Sequence, residues 1–343
     1  RFGELKVQTR FAQESDQPAW DQYVLSHPNG LAYQLFAWQH AVGQAYGFEY
    51  RSLLAEEGGR ICGVLPLINF KLPLLGECFI SLPYCDAGGV LADSADVARQ
   101  LLDFAASEGE LHGLDIDLRA THELPVNAVN RTDKVRMLLE LPNSADELLS
   151  GLKSKLRSQV KKPLRDGLTA KLGGSELFAV SYSIFAPNMR DLGSPVHSRR
   201  WIESVVIGYG NNCRVGVVYT PDGVPAAAGI ILLHRQTVSI PWASALREFN
   251  RLNPNMLLYW AFLAFAADNG YRNFDFGRST PAEGTYRFKQ QWGAQPKPLY
   301  WYRLPDKNSD SVGVEAEEQQ HSSGKRELLA GIWQKLPLPV ATA

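Results

Sequence analysis

One order of secondary structure is written twice in this chain, and that repetition limits the fold more than any other feature. In the first half a strand near Leu5–Phe11 precedes helices at about Pro18–Ser26 and Tyr33–Tyr46. Alternating or continuous apolar runs at Tyr50–Glu56, Arg60–Phe70 and Phe79–Leu82 read as strands. A helix over Ala95–Ser107 and strands at Leu114–Arg119 and Val135–Leu141 follow. The second half gives helices at Ala145–Arg165, Ser175–Asn188 and Ser198–Tyr209, then strands at Asn212–Tyr219, Val224–His234 and Thr237–Trp242. Pro221-Asp222-Gly223 supplies a hairpin turn, because proline presets φ and glycine accepts positive φ. A helix over Asn255–Asn269 stops at Gly270, and strands at Asn273–Phe276 and Pro298–Leu304 close the order. No clear sequence identity links the halves. The expected fold class is α/β (α+β), with two similar domains of mixed, largely antiparallel sheets flanked by helices. Their expected spans are 1–141 and 142–305, meeting at the polar Pro142-Asn143-Ser144.

A chain of 343 residues with 45% hydrophobic and 21% charged content can bury two cores. Its net charge of −1 gives no global attraction to nucleic acid or membrane, so an anionic ligand has to be met by a local basic patch. Cys62, Cys78, Cys85 and Cys213 form no CxxC pair and have no histidine at zinc spacing; they read as reduced, buried thiols. No metal or cofactor is expected. No run of eighteen apolar residues and no signal-peptide pattern occurs, so a cytoplasmic location is expected. Residues 306–326 read as a flexible polar linker and 327–343 as a short apolar segment. That segment is expected to dock on the body, or to make a peripheral contact with the inner membrane.

Chemistry concentrates between Phe274 and Ala294. Phe274 and Phe276 alternate as at a buried strand end, Ser279-Thr280-Pro281 offers capping and turn chemistry, and a short helix then ends at Gly293. Tyr286, Lys289 and Trp292 share one face of that helix by their spacing of three. Asp275, Arg278, Ser279 and Lys289 thus surround a strand-to-helix junction, where open α/β sheets bind ligands. A second group is cationic: Lys153, Lys155, Arg157, Lys161, Lys162 and Arg165 fall between Gly151 and Arg165 with no acid among them. Such a face either attracts phosphates or is simply solvated.

These two segments carry a family resemblance. Tyr286-Arg287-Phe288-Lys289 followed by Trp292-Gly293 resembles the aromatic-Phe-Lys-x-x-aromatic-Gly signature of Fem-type aminoacyltransferases. Leu152–Pro163, followed by Gly167-Leu168, resembles the basic helix of the same family. Met189–His197, Pro241-Trp242-Ala243-Ser244 and Leu257-Leu258-Tyr259-Trp260 are similar to a FemAB-related subgroup associated with exosortase and exopolysaccharide gene clusters. The resemblance covers roughly residues 2–304 and implies two tandem acyltransferase domains of GNAT type. It also implies aminoacyl transfer to an amino group of a peptidoglycan or exopolysaccharide precursor. Many relatives add a long helical arm in the second domain, for which there is no room here.

By the same resemblance Arg157, with Lys155 and Lys161, contacts acceptor phosphates, and Lys289 stabilises an oxyanion. Asp275 is a candidate proton carrier or a loop-shaping ion pair with Arg278. His197 is a candidate general base or a structural histidine. Arg190, Asp191, Trp242, Ser244, Tyr259, Arg278, Ser279, Tyr286 and Trp292 are the expected substrate-binding residues. Acetyl-CoA enzymes place a Q/R-x-x-G-x-G/A loop after the central strand, whose amides cradle pyrophosphate. Here that place holds Ala243–Pro254, which contains no glycine. That argues against ordinary coenzyme A binding and agrees with the aminoacyl-tRNA donor that the Fem resemblance implies; between aminoacyl-tRNA and acyl-CoA the donor stays open. The expected partner is an anionic, phosphate-bearing envelope precursor. Two alternatives stand beside this: an N-acyltransferase using acyl-CoA or acyl carrier protein, and a non-catalytic scaffold. Asp115 and Asp117 alternate on a strand and read as sheet-edge polar residues rather than a metal pair.

Overall fold

The computed structural model describes residues 6–72, 76–193 and 196–305, so the expectations for 306–326 and 327–343 lie outside the described residues. The chain divides into two units. Among the described residues, one takes those up to Arg136 together with 297–305, and the other takes Met137–Pro296.

The first unit begins with β1 (Gln8–Phe11), α1 (Gln17–Ser26), α2 (Phe36–Tyr46), β2 (Glu49–Tyr50), β3 (Leu53–Glu57) and β4 (Arg60–Leu65). It continues through β5 (Ile68–Leu72), β6 (Gly76–Ile80), β7 (Leu91–Ala92), α3 (Ala95–His112) and β8 (Ile116–Ala120). The run expected as one strand over Arg60–Phe70 is two strands in different sheets. Pro66 lies between them; without an N–H it cannot continue a ladder. One sheet is ordered β1-β3-β4-β7. Helix α3 is capped by the Ser94 side chain at its start and by Gly113, with φ of 67°, at its end. It links β6 to β8, which pair in parallel at Phe79–Ile116 and Ile80–Asp117. Leu65, Phe79, Leu101, Leu102, Ile116 and Leu118 form the core of this unit.

The second unit contains β9 (Val135–Glu140), α4 (Ala145–Gly151), α5 (Ser154–Arg165), β10 (Thr169–Gly173), α6 (Phe178–Asp191), α7 (Arg199–Tyr209) and β11 (Cys213–Tyr219). Next come β12 (Pro225–His234), β13 (Thr237–Ala245), α8 (Pro254–Asp268), β14 (Asn273–Ser279) and α9 (Gly284–Gln291); β15 is Gln295–Pro298 and β16 is Tyr300–Leu304. The helix expected over Ala145–Arg165 is two helices, because Leu152 leaves the helical region at ψ 143°. The seven-stranded sheet runs β10-β11-β12-β13-β14-β9-β15. Gly216 and Gly229 face each other on β11 and β12. A Cβ on either would come within 3.0 Å of the Phe262 ring, so the glycine pair seats α8 on this face. Trp242 is in the opposite orientation and meets Trp201 of α7 on the other face.

The end of the chain departs from expectation. β16 was expected to close the sheet of the domain spanning 142–305; instead it pairs antiparallel with β8, completing the order β16-β8-β6-β5-β2. Asp117 is not merely a sheet-edge polar residue, because it holds Arg303 of β16 at 2.8 Å; Asp115 lies 4.0 Å from the same guanidinium. Arg303 is 5% exposed, and this pairing is what permits its burial.

Candidate functional site

β13 and β14 run parallel, but their register covers only Thr237–Ser239 against Asn273–Asp275. β13 continues to Ala245 and β14 to Ser279. The cause of the parting is local. Opposite Ile231 alone, β13 places both Ile240 and Pro241, so the strand bulges between Ser239 and Trp242. A bulge bends and twists its strand, and Pro241 has no N–H to extend a ladder. The two strands therefore open a wedge at their carboxyl ends.

β14 has its own bend. Gly277 takes φ of 72°, a left-handed conformation that glycine adopts without a Cβ clash. Asp275 Oδ1 accepts the Gly277 N–H at 2.9 Å, and Lys289 Nζ donates to the carbonyls of Gly277 (3.3 Å) and Arg278 (2.6 Å). Asp275 is 4% exposed and Lys289 is 9% exposed. The Lys289 ammonium turns inward from α9 and fastens the bend. Asp275 fastens the same bend from the other end.

Aromatic residues line the α8 side. Tyr259 stacks on Phe276 at 5.8 Å and meets Phe288 edge-on at 4.9 Å. Burial pushes the Tyr259 phenol up to about 12. Phe288 in turn meets Trp292, which is buried. Tyr286 is half-buried on α9. Ser244 on β13 and Ser279 on β14 are both buried, and neither hydroxyl has a hydrogen-bond partner among the described residues; nor does Trp292 Nε1. Buried polar atoms are ordinarily satisfied, so the Ser244 and Ser279 hydroxyls on the two parting strands are each open to a further polar contact.

On the other face, Trp242 meets Trp201 edge-on at 5.1 Å, and Trp201 meets the His197 ring at 4.8 Å. The His197 ring also stacks on Phe185 at 6.3 Å, and its carbonyl accepts the Tyr182 hydroxyl at 2.9 Å. Those contacts favour the structural reading of His197 over a general base. Arg190 and Asp191 pair at 3.0 Å. They are brought beside the end of β13 by two contacts that sequence reasoning missed: Arg247 Nη2 to Asp191 O at 2.6 Å, and Asn188 Nδ2 to Ala245 O at 2.9 Å.

Helix α5 reaches the same end of the sheet. Leu156, Val160 and Pro163 are buried on its inner side, and the helix packs against α8. Lys162 Nζ lies 2.5 Å from Asp166 and 3.3 Å from the Arg251 carbonyl, just before α8 begins. Arg157 is half-buried and donates to Ser150 O at 3.1 Å; Lys155 and Lys161 are exposed. The α8 N-terminus adds the partial positive charge of its free amides. Selected residues of β13, β14, α6 and α9 lie on elements that meet at or beside the carboxyl ends of β13 and β14, whereas on α5 it is Lys162, not Lys155, Arg157 or Lys161, that contacts the segment before α8. Pro241, Gly277, Asn188 and Arg247 were missed, though a proline inside a strand was a legible sign of the bulge.

No helix among the described residues is long and apolar enough to cross a membrane. Residues 155–290 match the acetyltransferase (GNAT) domain model. No curated protein sequence matches the chain. Among solved structures, FemX aligns with a TM-score of 0.67 at 15% identity, over 87% of this chain and 97% of its own. A tandem GNAT protein from the clavulanic acid biosynthesis pathway aligns with a TM-score of 0.55 at 14% identity, over 90% of this chain and 100% of its own. A C-terminal domain assigned to a lysylphosphatidylglycerol synthetase of Agrobacterium fabrum aligns with a TM-score of 0.57 at 12% identity, over 89% of this chain and 95% of its own. The chain therefore has a tandem GNAT-like α/β fold, and residues 155–290 are similar to an acetyltransferase (GNAT) domain.

Proposed function

We propose that the protein is an acyltransferase forming an amide on an amino group of a phosphate-bearing cell-envelope precursor, by Fem-like aminoacyl transfer. The observation that carries this reading is the wedge between β13 and β14, in the part of the chain similar to a GNAT domain. A neutral amine nitrogen attacks the carbonyl carbon of an activated ester. The C–N bond forms, the ester C–O bond breaks, and the amine proton leaves with the departing oxygen. The chain's part is to hold the ester carbonyl between the parted strands and to exclude water through Tyr259, Phe276, Phe288 and Trp292. Asp275 and Lys289 keep β14 bent, and in this reading the Lys289 charge favours the negative charge that develops on the ester oxygen.

Polar Ser244 and Ser279, and the absence of glycine from Ala243–Pro254, support an aminoacyl donor over a plain acyl-CoA. Lys155, Arg157 and Lys161 are the candidates to meet the acceptor phosphates. A peptidoglycan or exopolysaccharide precursor fits this reading, and an exosortase-associated setting is its narrowest form. The similarity of residues 155–290 to an acetyltransferase domain supports the second reading, an N-acyltransferase using acyl-CoA or acyl carrier protein.

The test offers purified protein an amine-bearing, phosphate-linked precursor with aminoacyl-tRNA, acyl-CoA or acyl carrier protein in turn, and reads product mass. An aminoacylated product supports the leading reading. An acylated product from the thioester donors supports the second. No product with any donor, and no ligand retained, leaves a non-catalytic scaffold.

A further inference from the structure

Helix α5 carries more positive charge than one phosphate group requires, and it carries it outward. Leu156, Val160 and Pro163 fix its inner side. At about 100° per residue, Ser154, Ser158, Lys161 and Arg165 then point directly away from the protein, with Lys155 and Lys162 beside them. Lys155, Lys161 and Arg165 are exposed. The serines are short, so a flat surface can approach the helix axis closely between the long cationic side chains.

Apolar surface lies at the C-terminal end of the same helix. Leu164 is 49% exposed and Val224 is 44% exposed. They belong to neighbouring segments, because the Gly167 turn after α5 lies against the β11–β12 hairpin: a Cβ on Gly167 would come within 3.2 Å of Pro221. Two acids sit nearby. Asp166 is held by Lys162, and Asp222 occupies the hairpin tip. The four cations on or beside the outward face, Lys155, Lys161, Lys162 and Arg165, outnumber them, so the patch stays positive in a chain of net charge −1.

From these features we infer that the outward face of α5, with Leu164 and Val224 at its end, is a docking surface for an anionic lipid bilayer. Lipid phosphates meet Lys155, Lys161 and Arg165, and the two apolar side chains enter the headgroup boundary. Exposed lysines and arginines around a protruding leucine match an interfacial surface better than a soluble phosphate site, which would enclose its ligand. The inference rests on the reading of α5 as an anion-binding face. It goes further in making an anionic bilayer the partner, and vesicle binding can be measured without turnover.

The test is co-sedimentation of the full chain with vesicles containing about one third phosphatidylglycerol, against vesicles of phosphatidylcholine alone. The expected result is binding to the anionic vesicles only, weakened at least about fivefold by Arg165→Glu and abolished at high salt. Leu164→Ser is expected to weaken binding while leaving salt dependence intact. Both positions are exposed, and thermal melts confirm that each variant is folded. Inorganic pyrophosphate at millimolar concentration should compete poorly. Equal binding to neutral vesicles, no binding at low salt, or binding unchanged in both variants overturns the membrane surface. No vesicle binding together with pyrophosphate binding seen by calorimetry and lost in Arg165→Glu assigns the cations to a soluble phosphate ligand instead. Amide formation with a soluble precursor is scored separately, so the acyl-transfer reading stands or falls on its own.

Discussion

Replacing Lys289 by Met strips a charged donor from the carbonyls of Gly277 and Arg278. Hydrogen bonds to charged groups contribute about 1.5–3 kcal/mol, so urea unfolding of Lys289→Met should show a loss of that order. Turnover should fall as well, because β14 no longer holds its bend. Unchanged stability with a large loss of kcat would instead place the ammonium among the reacting atoms. The sequence singled out this lysine by motif and spacing, yet it could not say which way the side chain turns. Direction depends on the left-handed Gly277, whose partner lies twelve residues away. The cysteines were easier to read. Burial pushes Cys78 and Cys213 up to about 12 from the ordinary 9.0. Both stay protonated in the fold, so their contribution is fully present below pH 9 and is lost as pH rises from 9 toward 12. The unfolding midpoint of the wild type should drop over that window more steeply than that of Cys213→Ala. Parallel curves for the two proteins would show that Cys213 does not contribute.

At the scale of elements, the wedge depends on the bulge at Ile240–Pro241. Pro241→Val returns an N–H to β13 and a β-branched side chain suited to a regular strand. The expected outcome is a protein of equal or greater stability whose donor binding is weakened, because β13 lies closer to β14. Isothermal titration with the donor identified by the product assay checks this; undiminished affinity would separate the bulge from ligand binding. Much of the element order was legible, since amphipathic periodicity and caps such as Ser94 and Gly113 are local signals. The short edge strands β10 and β15 were not. Thr169–Gly173 and Gln295–Pro298 are mostly exposed, so they lack the apolar alternation that marks a half-buried strand. The split of the basic segment at Leu152–Lys153 was also missed, although Gly151, the last residue of α4, was a local sign of a helix end.

Across the whole molecule, the two repeats exchange their outer strands. β9 follows β8 in the chain but lies beside β14, and β16 follows β15 but lies beside β8. Strand existence was readable from Pro298–Leu304, but its destination was not, because pairing between distant strands has no local signature. The consequence is that the first unit is incomplete without the last described strand. Trp301 is 4% exposed; its Nε1 donates to Asp86 O at 3.0 Å, and the Arg119 guanidinium sits 4.5 Å from the ring centroid. Arg303 pairs with Asp117. A chain ending at Pro298 keeps β15 but loses all of these contacts. It exposes the edge of β8 and leaves Asp117 without its cation. Truncating one buried Trp typically costs about 3–5 kcal/mol, and breaking a buried ion pair costs a similar amount; domains hold only about 5–15 kcal/mol in total. The truncated chain should therefore show a second unit that unfolds cooperatively, beside a first unit that binds a hydrophobic dye and is cut rapidly by protease between β1 and β8. Limited proteolysis with mass mapping reads this directly. Protease resistance of residues 6–120 equal to that of the full chain would show that β16 is dispensable and that the first unit's stability lies in its own strands.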